Sequence, residues 1–284
     1  HFDDLDEAID GVLIKSENWQ ALNLLLEKYR EKVKCIYIDP PYNTGSDEFI
    51  YKDRYQHSSW LSMMADRLAL GRELVTMDGG LFASIDYNED GRLRLLLEEL
   101  FGAPQYRNTI VPARVKKSIM ERERVKSLNW GTGYLMFFAA SENTLIVPPV
   151  RRFNSAKKEK WHSFDAPGVR PTMEYQLFGQ KPPSGRHWMY SQDRALQMVE
   201  RGELRCNPKT RRIEYRVPES QGILLDTNWT DVLESDSDWD FLTEKNVTFL
   251  QRVFTMLVNK CDLILDFFAG SGTTAHAVID LNRE

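Results

Sequence analysis

Two short apolar runs, each passing an aspartate and then breaking into a conformationally special turn, set the frame for this 284-residue chain. The first, VKCIYI (Val33 to Ile38), runs into Asp39, Pro40, Pro41 and Tyr42. The second, DLILDFF (Asp262 to Phe268), carries Asp266 and opens into Ala269, Gly270, Ser271 and Gly272. Apolar runs of this length bounded by Pro or Gly read as strands. Helical spacing lies between and around them. VLIKS (Val12 to Ser16), NWQALNLLLEKYR and VKCIYI read as strand, helix, strand, a parallel βαβ pattern. Trp60, Leu61, Met64, Leu68 and Leu70 mark a further helix, followed by a strand at LFASID (Leu81 to Asp86) and the helix GRLRLLLEELFG. The apolar run YLMFFAA (Tyr134 to Ala140) reads as a buried strand, and NVTFLQRVFTMLVNK and TTAHAVIDLNRE as helices. The sum predicts an α/β fold: a doubly wound, mostly parallel Rossmann-like sheet.

The texture changes from about Asn108, first with a basic stretch (Arg114, Lys116, Lys117, Arg122, Arg124, Lys126) that suits either a solvated surface or phosphate contact. After Pro148-Pro149 the periodicities fade. Residues 150 to 225 are rich in Pro, Gly, Trp, Arg and Lys, and read as a separate irregular module in which NPKT (Asn207 to Thr210) suits a hairpin turn. Its aromatic residues, Trp161 and Trp188 among them, are more often core than base-stacking, so no base-reading residue is named.

Bulk properties exclude some classes. No window approaches the roughly 18 apolar residues of a membrane span. His1 to Ile9 holds Asp3, Asp4, Asp6 and Glu7 rather than a basic then apolar leader, so a cytoplasmic protein is expected. Cys35, Cys206 and Cys261 fit neither a disulfide framework nor paired zinc ligands and are expected to be buried thiols. His57, His162, His187 and His276 have no partner at metal-ligand spacing, so no metal is expected. Asp86 and Glu89 follow a strand but read as a solvated loop. A net charge of −5 argues against a coat of nucleic acid but leaves room for a local basic groove. The start at His1 and the stop at Glu284 inside a helical pattern suggest a piece of something longer.

Both turns carry chemistry. A strand ending at a glycine-containing turn that opens a helix is how doubly wound sheets hold nucleotide-like cofactors. Gly270 and Gly272 allow close backbone approach, and free amides at the helix start can face a carboxylate. This is no P-loop, since Thr273 rather than Lys follows Gly272. The motif alone also fits a simple tight turn. At the other loop, two prolines stiffen the chain and remove two backbone donors, leaving carbonyl acceptors beside an aromatic ring. An exocyclic amino nitrogen is a poor nucleophile because its lone pair is delocalised into the base. It needs acceptors for its N–H bonds, which the Asp39 carboxylate and Pro40 carbonyl can provide. Tyr42 can stack on a base extruded from the duplex. Alone, this segment too fits an ordinary Pro-rich turn.

Together, DPPYNTG and FFAGSG resemble the permuted, beta-class DNA amino-methyltransferases in which the catalytic motif precedes the cofactor motif. The text from Phe49 to Gly102 resembles the modification (Mod) subunits of type III restriction-modification systems and their type II relatives. The resemblance implies S-adenosyl-L-methionine as cofactor. It implies Asp39, Pro40, Pro41 and Tyr42 as catalytic, and Asp266, Phe267, Phe268, Ala269, Gly270 and Ser271 as the methionine-binding loop. FLTEKN (Phe241 to Asn246) resembles the family's cofactor-binding stretch, implicating Thr243 and Lys245, although Asn246 stands where Pro is frequent. KSEN (Lys15 to Asn18) stands where the family usually has Gly-Asp-Asn, putting Glu17 near the adenine of the cofactor. In SIDYNE, Tyr87 departs from a common Asp. The acidic residue that holds the ribose is expected beyond Glu284.

The implied organisation is a catalytic half at 1–145, a target-recognition insertion at 146–228 and a cofactor-binding half at 229–284, cut short at its C-terminus. Methylation of adenine N6 is favoured, because the family pairs Asp at the first motif position with adenine more often than with cytosine. Cytosine N4, RNA, or a catalytically idle recognition subunit are the alternatives. Implied partners are double-stranded DNA, a second copy in a homodimer, and an ATP-dependent restriction subunit.

Overall fold

The computed structural model describes residues 9–45, 54–114, 128, 130–235 and 244–283. Helix α1 (Asn18–Tyr29) leads to β1 (Val33–Ile38), α2 (His57–Leu74), β2 (Val75–Ile85), α3 (Asp90–Phe101), β3 (Tyr106–Ala113) and β4 (Tyr134–Ala139). Shorter elements follow: β5 (Val150–Lys157), β6 (Lys160–Ser163), β7 (Asp165–Pro167), β8 (Arg186–Trp188), α4 (Gln192–Glu200), β9 (Leu204–Cys206), β10 (Ile213–Val217) and β11 (Ser220–Leu224). The chain then returns through β12 (Asn228–Leu233), α5 (Val247–Leu257), β13 (Leu263–Leu265) and α6 (Thr273–Arg283). It divides into two compact units, one of residues 1–149 with 225–284, the other of residues 150–224.

In the larger unit the strand order is β12-β3-β4-β2-β1-β13. β1 pairs in parallel with β2 and β13, and β12 with β3, while β4 runs antiparallel between β2 and β3. Side chains alternate across β1. Ile36 and Ile38 pack with Trp60, Met64 and Leu68 of α2 and Leu93 and Leu97 of α3. Cys35 and Tyr37 pack on the opposite face with Phe249, Val253 and Phe254 of α5 and Ala277 of α6. A strand buried on both faces needs apolar residues on both, which is why VKCIYI, apart from the half-buried Lys34 near its start, shows no polar alternation. The architecture is the doubly wound, mostly parallel α/β sheet that the sequence predicts.

Several expectations are corrected. Val12–Ser16 forms no strand, and Val12 and Leu13 are exposed. A strand there would belong beside β1, but both edges of β1 are already taken by β2 and β13. The strand expected over Asp262–Phe268 is only Leu263–Leu265, because the chain turns at Asp266. Of the cysteines only Cys35 is buried; Cys206 is half-buried and Cys261 exposed. Basic residues from Lys116 to Lys126 lie outside the described residues.

The smaller unit is more regular than its sequence suggests. It holds a three-stranded sheet, β6-β10-β9, with two-stranded pairs β5–β11 and β7–β8, around a core of Phe164, Leu177, Trp188, Ala195, Leu204 and Ile213. The turn expected at NPKT joins β9 to β10. Asn207 Oδ1 closes it by accepting from Lys209 N at 2.9 Å and Thr210 N at 3.1 Å. No helix among the described residues is long and apolar enough to cross a membrane.

Candidate active site

Because β1 and β13 are parallel neighbours with Ile36 opposite Leu265, their carboxyl ends open at the same edge of the sheet. The loop after β1 and the glycine turn after β13 therefore share one cleft of about 360 Å³. Asp39, Pro41 and Lys245 line one side of it, and Asp266, Phe267, Phe268, Ala269, Gly270 and Ser271 the other.

The densest polar cluster sits on the Asp39 side. Lys245 Nζ lies 3.0 Å from Asp39 Oδ1, 2.9 Å from Glu234 Oε1 and 2.6 Å from the Tyr42 hydroxyl. All three ammonium donors thus have protein acceptors. The Tyr42 hydroxyl is also 2.8 Å from Asp39 Oδ1 and 3.0 Å from Glu234 Oε1, and has one proton to give to either. Burial pushes the Asp39 carboxyl up and the Lys245 ammonium pulls it back, but with Glu234 nearby it stays above the usual carboxylate range. Burial would lower Lys245, yet the Asp39 and Glu234 carboxylates outweigh it and hold the ammonium above its ordinary value. Burial, then the Asp39 and Glu234 charges, keep Tyr42 a phenol well above the ordinary range. Tyr42 and Lys245 both meet Asp39 through Oδ1, so among the described residues Oδ2 is left for a ligand in the cleft that Asp39 lines.

The loop itself is pinned from below. Trp60, wholly buried, donates its indole N–H to Pro41 O at 2.8 Å. Asn43 takes a left-handed conformation (φ 59°), donates to Glu89 Oε1 at 2.5 Å and accepts from Tyr55 N at 2.7 Å. Glu89 also meets His57 Nδ1 at 2.6 Å. Asp86 and Glu89 are buried, not the solvated loop their sequence suggests. Asp86 caps its own turn by accepting from Asn88 N at 2.9 Å, and Glu89 anchors the Asn43 loop.

On the far side, Asp266 Oδ1 accepts from Phe268 N at 2.9 Å and Oδ2 from Thr274 Oγ1 at 2.6 Å. Burial pushes this carboxyl up, the two donors restrain it and Asp39 adds to it, leaving it at about 7. Gly272 holds φ 87°, a conformation that strains any residue with a Cβ, as the turn enters α6. Glu17 does not line the cleft. It caps α1 by accepting from Gln20 N at 3.2 Å and pairs with Arg67. Its neighbour Asn18 faces the cleft instead and donates to Phe267 O at 3.1 Å. Thr243 lies outside the described residues. Pro40 is buried next to Asp39. Among the described residues no group of His, Cys, Asp or Glu is arranged to hold a metal ion.

Sequence reasoning missed Glu234 and Trp60. The available signal for Glu234 was an acidic residue at the end of the apolar alternation in NWTDVLE, the same location on its strand as Asp39 on β1. Trp60 carries none, since it reads as one more apolar residue on a helix face.

Comparison with known proteins matches residues 33–284 to a family model described as DNA methylase, of the N6/N4 type. The chain is 29% identical over 96% of its length to the type III restriction-modification enzyme StyLTI Mod subunit of Salmonella typhimurium, and spans about half (50%) of that relative. It is 27% identical over 95% of its length to the type II methyltransferase M.EcaI of Enterobacter cloacae, covering 64% of it. Among solved structures, PvuII DNA methyltransferase (cytosine-N4-specific) matches with a TM-score of 0.52 at 11% identity, covering 92% of this chain and 76% of that one. At that identity the likeness is one of fold.

Proposed function

The chain belongs to the N6/N4 DNA methylase family, and from that membership we propose that it is a DNA methyltransferase that uses S-adenosylmethionine to methylate adenine N6 on an extruded base. One observation carries the reading. The proline-stiffened acceptor loop and the glycine turn open into a single cleft. Its volume of about 360 Å³ lies within the range of small-molecule sites.

The cleft fits the cofactor chemically. Among the described residues Glu244 Oε2 is a buried acceptor with no partner, and Glu244 Oε1 lies 3.4 Å from Thr273 Oγ1 at the cleft wall. An orphaned carboxylate oxygen there suits the ammonium of an amino-acid moiety, and the amides at the start of α6 suit its carboxylate. Asp266, Phe267, Phe268, Ala269, Gly270 and Ser271 would hold the remainder. When bound, the cofactor supplies an electrophilic methyl group. The chain does the rest. Asp39 Oδ2 and the Pro40 carbonyl accept the two amino N–H bonds, draw the nitrogen lone pair out of the base and hold the nitrogen toward the donor. Lys245 and Tyr42 fix Asp39 by its other oxygen. We assign Lys245 to this positioning role, since all its donors are used within the cluster. We place target recognition in the insertion at 146–228, around the compact unit 150–224. A cytoplasmic location, a homodimer and an ATP-dependent restriction subunit as partner complete the proposal.

The test is methyl transfer from isotope-labelled cofactor to duplex DNA, read by nucleoside mass spectrometry. N6-methyladenine is expected. N4-methylcytosine would replace the base assignment, methylated RNA alone would replace the substrate, and no transfer would mark an idle recognition subunit.

Two further results are expected. Trp60→Phe keeps the buried ring but loses the bond to Pro41 O, so turnover should fall by roughly ten- to hundredfold with cofactor affinity unchanged, because small displacements of a reacting group are that costly. Steady-state kinetics alongside calorimetric cofactor binding checks this. Asp266 stays protonated below about pH 7, and a cationic cofactor favours its ionised form. Cofactor affinity should therefore fall by up to about tenfold per pH unit below that point and level off above it. Asp266→Asn should flatten the profile.

A further inference from the structure

Tyr87 and Trp130 lie flat on each other with ring centroids 4.3 Å apart and planes 10° from parallel. They nonetheless remain 42% and 51% exposed. Two large rings ordered against each other at a surface leave apolar faces in water, which a flat aromatic ligand would cover.

Both rings sit in segments tied to the Asp39 loop. Tyr87 follows β2, and two residues later Glu89 accepts from Asn43, the neighbour of Tyr42, at 2.5 Å. Trp130 stands three residues before Gly133, where a Cβ would come within 1.8 Å of Glu234 Oε2. The other oxygen of Glu234 lies 3.0 Å from the Tyr42 hydroxyl. The Trp130 segment is held in place by Gly133 N donating to Pro112 O at 3.1 Å and Arg114 N to Gly131 O at 2.9 Å. That second bond also seats Arg114, a cation suited to phosphate, against Gly131, the neighbour of Trp130.

We propose that the Tyr87–Trp130 pair is a stacking platform for a nucleobase of the DNA strand that carries the extruded base. This rests on the DNA-methylating reading above. Extruding one base leaves its strand neighbours without a stacking partner on that side. Every base has a π-face, so such a platform holds the strand without reading its sequence, which is left to other residues. A protein surface, including a second copy of this chain, is the competing occupant.

The experiment compares the intact protein with Trp130→Ala, Tyr87→Ala and Trp130→Phe, measuring duplex affinity by fluorescence anisotropy, cofactor affinity by calorimetry and mass by light scattering. Trp130→Ala and Tyr87→Ala should weaken DNA binding by roughly ten- to hundredfold. Trp130→Phe should keep most of the affinity, and all three should bind cofactor normally. A 2-aminopurine next to the target base should be quenched by the wild type and not by Trp130→Ala. Wild-type DNA affinity in Trp130→Ala would overturn the platform, as would an equal loss of cofactor affinity or a change confined to oligomeric state. A wild-type protein that binds no DNA would refute the methyltransferase reading as well, so the two failures are distinguishable.

Discussion

Asp39→Asn should lower methyl transfer at least about a thousandfold while cofactor affinity stays as in the wild type. The substitution preserves shape and keeps an oxygen for Lys245 and Tyr42. It removes the anionic acceptor and turns the position facing the amino group into a possible donor. Losing a preorganised charge-stabilising group costs roughly a hundred- to a thousandfold, and losing the base that takes a proton costs up to about ten thousandfold. The acid limb of the wild-type pH profile should sit above that of an ordinary carboxylate, because burial raises Asp39 despite Lys245. Activity is lost as pH falls through that value, since only the ionised form accepts both an ammonium contact and an amino proton. Single-turnover rates measured across pH, with cofactor affinity determined in parallel, check both points.

Lys245→Met should have the largest effect on stability. The Lys245 side chain is 8% exposed and its ammonium faces two carboxylates at 2.9 and 3.0 Å. Removing one partner of a buried pair strands charge in a site that water reaches poorly, costing about 3–5 kcal/mol. For a protein of this size that is a fall in melting temperature of roughly 6–20 °C. The deficit has a definite pH dependence. Without the cation, burial and Glu234 raise Asp39 further, so the folded variant binds protons that the unfolded chain releases. The variant should therefore recover stability as pH falls, and lose it as pH rises. Adding Glu234→Gln should restore part of the loss, a non-additivity expected of groups in one network. Thermal unfolding of the two single variants and the double variant across pH measures this.

Both ends of the cleft were legible as local patterns. VKCIYI before Asp39 and the glycine turn after Asp266 each announce a strand that stops where chemistry begins. Their meeting was legible only through family resemblance, because nothing local says that β13 pairs with β1. The same blindness produced the error at VLIKS, whose composition suits a strand but whose place in the sheet is taken. Glu234 was hidden for a similar reason. It lies 192 positions from Tyr42 along the chain, and its importance comes only from its contacts with Tyr42 and Lys245. Asp86 and Glu89 show the limit of exposure statistics, since acids after a strand are usually solvated, yet here they are buried and organise the turn beside the Asp39 loop. The insertion looked irregular because its strands are three to eight residues long, too short for periodicity to register.

The central claim is that methyl donor and target amino group meet between Asp39 and the Gly270 turn. The most direct measurement is a structure of the protein with S-adenosylmethionine and a duplex holding its target. It should show the cofactor seated against residues 266–271, with the amino nitrogen bonded to Asp39 Oδ2 and facing the donor methyl at about 3–3.5 Å. Cofactor bound elsewhere, or a target base turned away from Asp39, would contradict the account.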